Sequence, residues 1–191
     1  MIKNTPRGCV PARMNCFDVK DALFLYERKN IGNTKSKNDR SRKGRETVMR
    51  NYDRNVLQNI QKNILMAREA IGEVNDRIYD DELKQEITRQ AEGYDEYGRK
   101  VRRAMGSKNI EPYRERAVDR VKLKSAIAMN TMLDISTGHM AEMLIQGSNR
   151  GITELCKVLN HNSEASKASV ELAKELMEFE EEAIERMKKY L

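Results

Sequence analysis

The chain has 191 residues, of which 35% are charged, 39% are hydrophobic and only 5% are aromatic. Three prolines and ten glycines supply few turn signals over this length, and runs of β-branched residues typical of strands are missing. This composition argues against sandwiches, barrels and doubly wound α/β folds, and it predicts an all-α protein with long helices.

Three further features bear on the compartment. No apolar stretch approaches the roughly 20 residues that a membrane span needs, and no signal peptide is recognisable at Met1. The three cysteines cannot all pair within one chain, so a disulfide scaffold is not expected. We therefore expect a cytoplasmic protein without a membrane segment.

The positive charge is concentrated at the start of the chain. Residues 1–45 contain 12 Lys and Arg against 4 Asp and Glu, whereas residues 46–191 contain 24 against 26. We expect residues 1–45 to form a basic, flexible arm and residues 46–191 to form the folded domain. A solvated tail is the simplest interpretation of such an arm, and nucleic-acid binding through counterion release is the alternative.

Met49 raises a hypothesis about translation. It lies just before the first periodic segment, and residues 43–46 can be encoded by a purine-rich stretch that resembles a ribosome-binding site. The start could therefore be Met49 rather than Met1, with the arm a translated leader.

Four segments after residue 46 repeat apolar residues every three to four positions, which predicts amphipathic helices. The first includes Leu57, Ile60, Ile64, Ala67, Ile71, Val74 and Ile78; the second includes Leu83, Ile87, Ala91, Tyr94, Val101 and Met105. The third is very long, from about 116 to 159, and the last follows a turn in which Ser163 is the expected N-cap. Short connections between such segments predict an antiparallel four-helix bundle.

The third segment differs from the others because it is apolar over much of its circumference. Its length predicts a break, which we expect at residues 136–138. Gly147 and Gly151 have the spacing that lets another backbone approach closely, either within the chain or from a second one. The residues expected to mediate association are Met140, Met143, Leu144, Gly147 and Gly151.

A metal site is a weaker hypothesis. His139 and Glu142 lie one turn apart, and glutamates of the last segment, including Glu178 and Glu182, could face them. Iron, manganese or zinc would suit such ligands, but the chain has no Glu-x-x-His motif. A histidine hydrogen-bonded to a neighbour is therefore the simpler interpretation, and we expect no cofactor.

Two stretches carry a resemblance to known proteins. The residues MNTMLD from Met129 to Asp134 and HMAEMLIQGSNRGITEL from His139 to Leu155 resemble small bacterial proteins that have a ferritin-like four-helix bundle and no established activity. The resemblance covers residues 49–191 and leaves the arm outside it. It implies a cytosolic, all-helical protein.

Taken together, these patterns favour a non-enzymatic helical bundle that acts through self-association or through a protein partner, using the third segment. A ferritin-like metal-binding or redox protein is the second interpretation. Binding of nucleic acid, confined to residues 1–45, is the third.

Overall fold

The computed structural model describes residues 39–114, 121, 123–125, 127–128 and 134–191. These residues belong to one compact unit, Lys35–Leu191. The described ranges are all-helical and contain no strand, which confirms the predicted class. The predicted arm lies outside the described residues up to position 38.

Four long helices and one short one form the described structure. They are α1 (Asp39–Asn75), α2 (Asp81–Ser107), α3 (Thr137–His161), α4 (Lys167–Met187) and a 3-10 helix (Lys188–Tyr190). The described residues between 121 and 128 are also helical. No helix among the residues that the structure describes is long and apolar enough to cross a membrane.

Helix α1 begins seven residues earlier than the periodicity predicts. Asp39–Arg45, which we assigned to the arm, are helical in the structure. Lysine and arginine have high helix propensity, so a charged stretch can extend a helix that is packed further along. Met49, the alternative start, consequently lies within α1.

Local signals account for both ends of α2. Asp80 is its N-cap, and the Asp80 carboxylate accepts a hydrogen bond of 2.8 Å from the Leu83 backbone N–H. At the other end the helix stops at Ser107, and Asn109 adopts a left-handed conformation with φ of 55°. Asparagine tolerates this conformation better than most residues, so the chain can turn there without glycine.

The third segment is interrupted as predicted, but the interruption lies two residues earlier than the expected 136–138. Residues 134–136 are not helical, and α3 begins at Thr137 with Ser136 as its N-cap. The Ser136 hydroxyl accepts a hydrogen bond of 3.3 Å from the His139 backbone N–H.

The predicted N-cap of the last helix is wrong. Ser166, not Ser163, precedes α4, which begins at Lys167. The Ser166 hydroxyl does not accept a hydrogen bond from a helical N–H group. Instead it donates a hydrogen bond of 2.8 Å to the Asp53 carboxylate of α1. A tertiary contact thus decides where this helix starts.

The core lies between the long helices. Helix α1 packs against α2, α3 and α4, and α4 also packs against α2 and α3. The apolar stripes predicted for α1, α2 and α4 are buried there, with Leu57, Ile60, Leu83, Ile87 and Leu176 fully inaccessible to solvent. This shared interior positions the cavity described next.

Candidate functional site

A cavity of about 500 Å³ lies between α1, α2 and α3. Helix α2 contributes Gln90 and Tyr94, while Leu123 and Ile127 line it from the helical residues that precede α3. Pockets that hold small molecules typically have volumes of about 300–1,000 Å³. The cavity therefore has the size of a ligand site.

The cavity is polar at one end and apolar at the other. Asn55 of α1 hydrogen-bonds Asn162 of α3, and Asn63 lies against Gly151, so the two helices run in opposite directions along the cavity. The lining residues at this end are Asn59, Lys62, Asn63, Arg150, Gly151 and Glu154. Further along, the two helices contribute Ala70, Ile71, Val74, Met143 and Leu144, which give the other end its apolar character.

A carboxyl group lies directly behind the cavity wall. Glu180 of α4 is completely inaccessible to solvent, and Tyr94 donates a hydrogen bond of 3.1 Å to its Oε1 atom. The Tyr94 ring in turn meets the Phe179 ring edge to face, with 5.2 Å between the centroids. These contacts hold the tyrosine hydroxyl between the cavity and the carboxyl group.

Gly151 makes room for this arrangement. A Cβ atom at position 151 would lie 2.8 Å from Glu180 Oε2 and 2.7 Å from Asn63 Nδ2. Both distances are too short for a carbon contact, so any larger residue would force the Asn63 or Glu180 side chain to move. The glycine thus serves close packing within the chain.

Three buried polar atoms near the cavity lack a hydrogen-bond partner among the described residues. They are Glu180 Oε2, Asn63 Nδ2 and Gln90 Oε1. The amide nitrogen of Gln90 donates to the Ser148 hydroxyl at 3.3 Å, which leaves its oxygen free. Buried polar groups in native proteins are rarely unpaired, so this concentration calls for an explanation.

The buried groups are neutral near pH 7. Burial raises the pKa of Glu180 to about 8, although the Tyr94 hydroxyl, which donates to the carboxyl group, and the nearby Asn63 amide group partly oppose the change. The pKa of Tyr94 is raised well above its usual value, first by burial and then by the negative charge that Glu180 can carry. At neutral pH the wall behind the cavity therefore carries no net charge.

The polar end carries an excess of positive charge. The negative charge of Glu154 is already paired, because its carboxylate accepts a hydrogen bond of 2.9 Å from Lys157. That bond, followed by the positive charges of Lys157, Arg150 and Lys62, lowers the pKa of Glu154. Among the described residues, neither Lys62 nor Arg150 has an ion-pair partner within 4.0 Å.

Four of the five predicted association residues line this cavity. They are Met143, Leu144, Gly147 and Gly151, whereas Met140 is fully buried in the core. A Cβ atom at Gly147 would meet nothing within 4 Å. The structure shows that this face of α3 borders a cavity, and the association expected of it stays a prediction.

The structure does not bring the four candidate metal ligands together. Glu142, Glu178 and Glu182 are exposed, and Glu182 lies 3.6 Å from the Arg186 guanidinium. His139 is half-buried at the start of α3. In the part of the chain that the structure describes, no three His, Cys, Asp or Glu side chains lie close enough together to hold a metal ion.

Sequence reasoning missed Glu180, Asn63 and Gln90. One signal pointed to Glu180: it falls on the apolar stripe of the last helix, between Met177 and Ile184, where a charged residue is out of place. Asn63 and Gln90 carry no such signal, because polar residues beside a helix stripe are common.

The chain was compared with protein-family profiles, with curated proteins and with solved structures, and none of the three comparisons found a match. The resemblance to ferritin-like bundles stays a prediction. The interpretation of the cavity therefore depends on its own geometry and chemistry.

Proposed function

We propose that the protein binds a small, elongated organic molecule in the cavity between α1 and α3. The observation that carries this proposal is the 500 Å³ cavity itself, whose lining combines apolar side chains with a few polar groups.

The lining also suits such a ligand in its composition. Small-molecule sites are mainly apolar, with a few polar groups that orient the ligand. Here Met66, Ile71, Val74 and Leu144 supply apolar surface, and most of the polar groups lie toward the opposite end. The helices around the cavity are held by their own core, so the site does not need the ligand to form.

The experiment uses N-phenyl-1-naphthylamine, a neutral dye that fluoresces in apolar surroundings. We expect the wild-type protein to bind one dye molecule per chain. Gly147→Leu should abolish this binding. Gly147 lines the cavity and a Cβ atom there would have open space, so the leucine side chain would occupy the room that the dye needs.

Gly72→Leu is the matched control. Gly72 is also an exposed helical glycine with open space around its Cβ position, but it does not line the cavity. This variant should bind the dye as the wild type does. Absence of dye binding in the wild type, or equal binding by both leucine variants, would contradict the proposal.

Self-association through α3 is a second candidate, and the open space at Gly147 favours it. A second backbone can approach a helix closely at an exposed glycine. Sedimentation velocity distinguishes the two candidates: a wild-type dimer that Gly147→Leu converts to a monomer supports association. A monomer at all concentrations contradicts it.

For the architecture, we propose an antiparallel four-helix bundle built around α1, α2, α3 and α4. Opposite directions are supported for α1 and α2 by the pairs Arg68–Asp95 and Arg50–Asn109. The helical residues between 121 and 128 would then belong to the connection between α2 and α3. A ferritin-like form of this bundle stays a prediction.

A further inference from the structure

We infer that the ligand of the cavity is an amphipathic organic anion. Its acidic group would lie beside Lys62 and Arg150, and its hydrocarbon body would extend toward Val74. This inference rests on the proposed function and names the chemical class of the ligand.

The charge of the lining supports an anion. Lys62, Arg150 and Glu154 are the ionisable residues at the polar end, and Glu154 is already paired with Lys157. Among the described residues, two positive charges thus remain available to a ligand. Because both cations lie at the same end of the cavity, they would select a negatively charged ligand and would also fix its orientation.

The opposite end requires an apolar group. Ile71, Val74, Leu123, Ile127 and Leu144 line it and offer no charged side chain. Along α1, the twelve residue steps from Lys62 to Val74 correspond to about 18 Å at 1.5 Å per step. An extended hydrocarbon chain of about ten carbons fits within that span.

A cationic ligand is disfavoured by the same geometry. The carboxyl group of Glu180 is behind the wall rather than on the lining, and the Tyr94 hydroxyl already donates to it. A cation at the polar end of the cavity would lie beside Lys62 and Arg150. Electrostatic complementarity therefore selects against it.

The test compares three probes that share a ten-carbon chain: decanoate, decanol and decyltrimethylammonium. Each competes with the bound dye at concentrations below its own aggregation. We expect decanoate to compete most strongly, decanol less and decyltrimethylammonium least. Added salt should weaken only the binding of decanoate, because a charged contact is screened.

The double variant Lys62→Met/Arg150→Met tests the two cations. Its affinity for decanoate should fall by roughly 2–25-fold, since each contact to a partly exposed charge is worth about 1.5–5-fold. Its affinity for decanol should stay within about twofold of the wild type. Lys84→Met removes an exposed charge of α2 outside the cavity and should change neither affinity.

The two proposals fail in different ways. If the dye binds but decanol or decyltrimethylammonium competes as well as decanoate, the anionic class is wrong and the cavity still binds ligands. An unchanged decanoate affinity in the double variant overturns the inference in the same way. If the wild type does not bind the dye, the proposed function itself is wrong.

Discussion

Gly151 and Glu180 depend on each other at the scale of single residues. The carboxyl group of Glu180 lies so close to the α3 backbone that a side chain at position 151 would have to displace it. Tyr94 supplies one hydrogen bond, and the remaining oxygen is buried without a partner among the described residues. Such a site keeps its carboxyl group protonated because ionisation would leave a poorly solvated charge.

Gly151→Ala should destabilise the protein. The added methyl group would collide with Asn63 and Glu180, and overpacking of this kind costs about 1–3 kcal/mol. Gly72→Ala is the control, since its methyl group meets nothing and the helix gains about 0.5–1 kcal/mol. Urea denaturation of both variants measures the difference, and an alanine at 151 that stabilises the protein would be inconsistent with the close approach.

Glu180→Gln should change how stability depends on pH. Between the ordinary pKa of 4.5 and the folded pKa of about 8, the unfolded chain carries a charged glutamate while the native protein keeps the proton. Unfolding then releases a proton, so the free energy of unfolding falls as pH rises across this interval. The slope contributed by one group approaches about 1.4 kcal/mol per pH unit.

The glutamine variant lacks this contribution. We expect its stability to approach that of the wild type near pH 5 and to exceed it increasingly toward pH 8. Thermal denaturation at several pH values measures this difference. A constant difference over the whole range would show that Glu180 does not hold its proton in the native state.

At the scale of the helices, a polar cluster joins three elements. Asp53 of α1 forms an ion pair with Lys108 at the end of α2, and it accepts hydrogen bonds from the backbone N–H and hydroxyl of Ser166 before α4. Lys108 also donates to the Ser166 hydroxyl at 2.7 Å. These contacts explain why α4 starts where it does.

Asp53→Asn should weaken this connection. Burial alone would raise the pKa of Asp53, but the hydrogen bonds from Lys108, Ser166 and Ser169 lower it overall. The charged aspartate therefore stabilises the native state above its ordinary pKa of 3.8, and this stabilisation is lost as pH falls through the lower native pKa. Because Lys108 is partly exposed, we expect a loss of about 2–3 kcal/mol at pH 7.

Glu185→Gln is the matched control for Asp53→Asn. Glu185 pairs with Lys188 on the exposed surface, where such pairs contribute about 0–1 kcal/mol. Urea denaturation at pH 7 compares the two variants, and repetition near pH 3 should narrow the gap between Asp53→Asn and the wild type. An effect of Asp53→Asn no larger than that of Glu185→Gln would exclude a structural role for the cluster.

At the scale of the whole molecule, ligand binding should appear as added stability. A molecule that binds only the native state stabilises it by about 2.7 kcal/mol at a concentration of one hundred times its Kd. Decanoate should therefore raise the thermal midpoint of the wild type, and the rise should be absent in Gly147→Leu. Equal rises in both proteins would place the binding elsewhere.

The helices themselves were largely predictable. The stripes of α1, α2 and α4, the end of α2 at Ser107 and the break before Thr137 all follow from apolar periodicity and local helix signals. The start of α4 was not predictable, because Ser166 is recruited by an aspartate more than one hundred positions away. Local rules cannot anticipate a contact made only after the helices pack.

The candidate site was predictable in part. The sequence drew attention to Met143, Leu144, Gly147 and Gly151, which share one face of α3. It could not show that α1 and α2 add Asn63, Gln90 and Tyr94 to the same cavity, because those residues are separated along the chain. Gly151 illustrates the difference: its spacing indicated close packing, but not that the neighbours would be Asn63 and Glu180.

The sequence by itself determined the helical class and several helix boundaries, since these depend on periodicity, capping and propensity within a few neighbouring residues. Only the tertiary structure decided that a cavity exists, which atoms around it are unpaired and where its charges lie. The reason is physical: a cavity is the space that packed helices leave between them, and it depends on the relative placement of distant side chains.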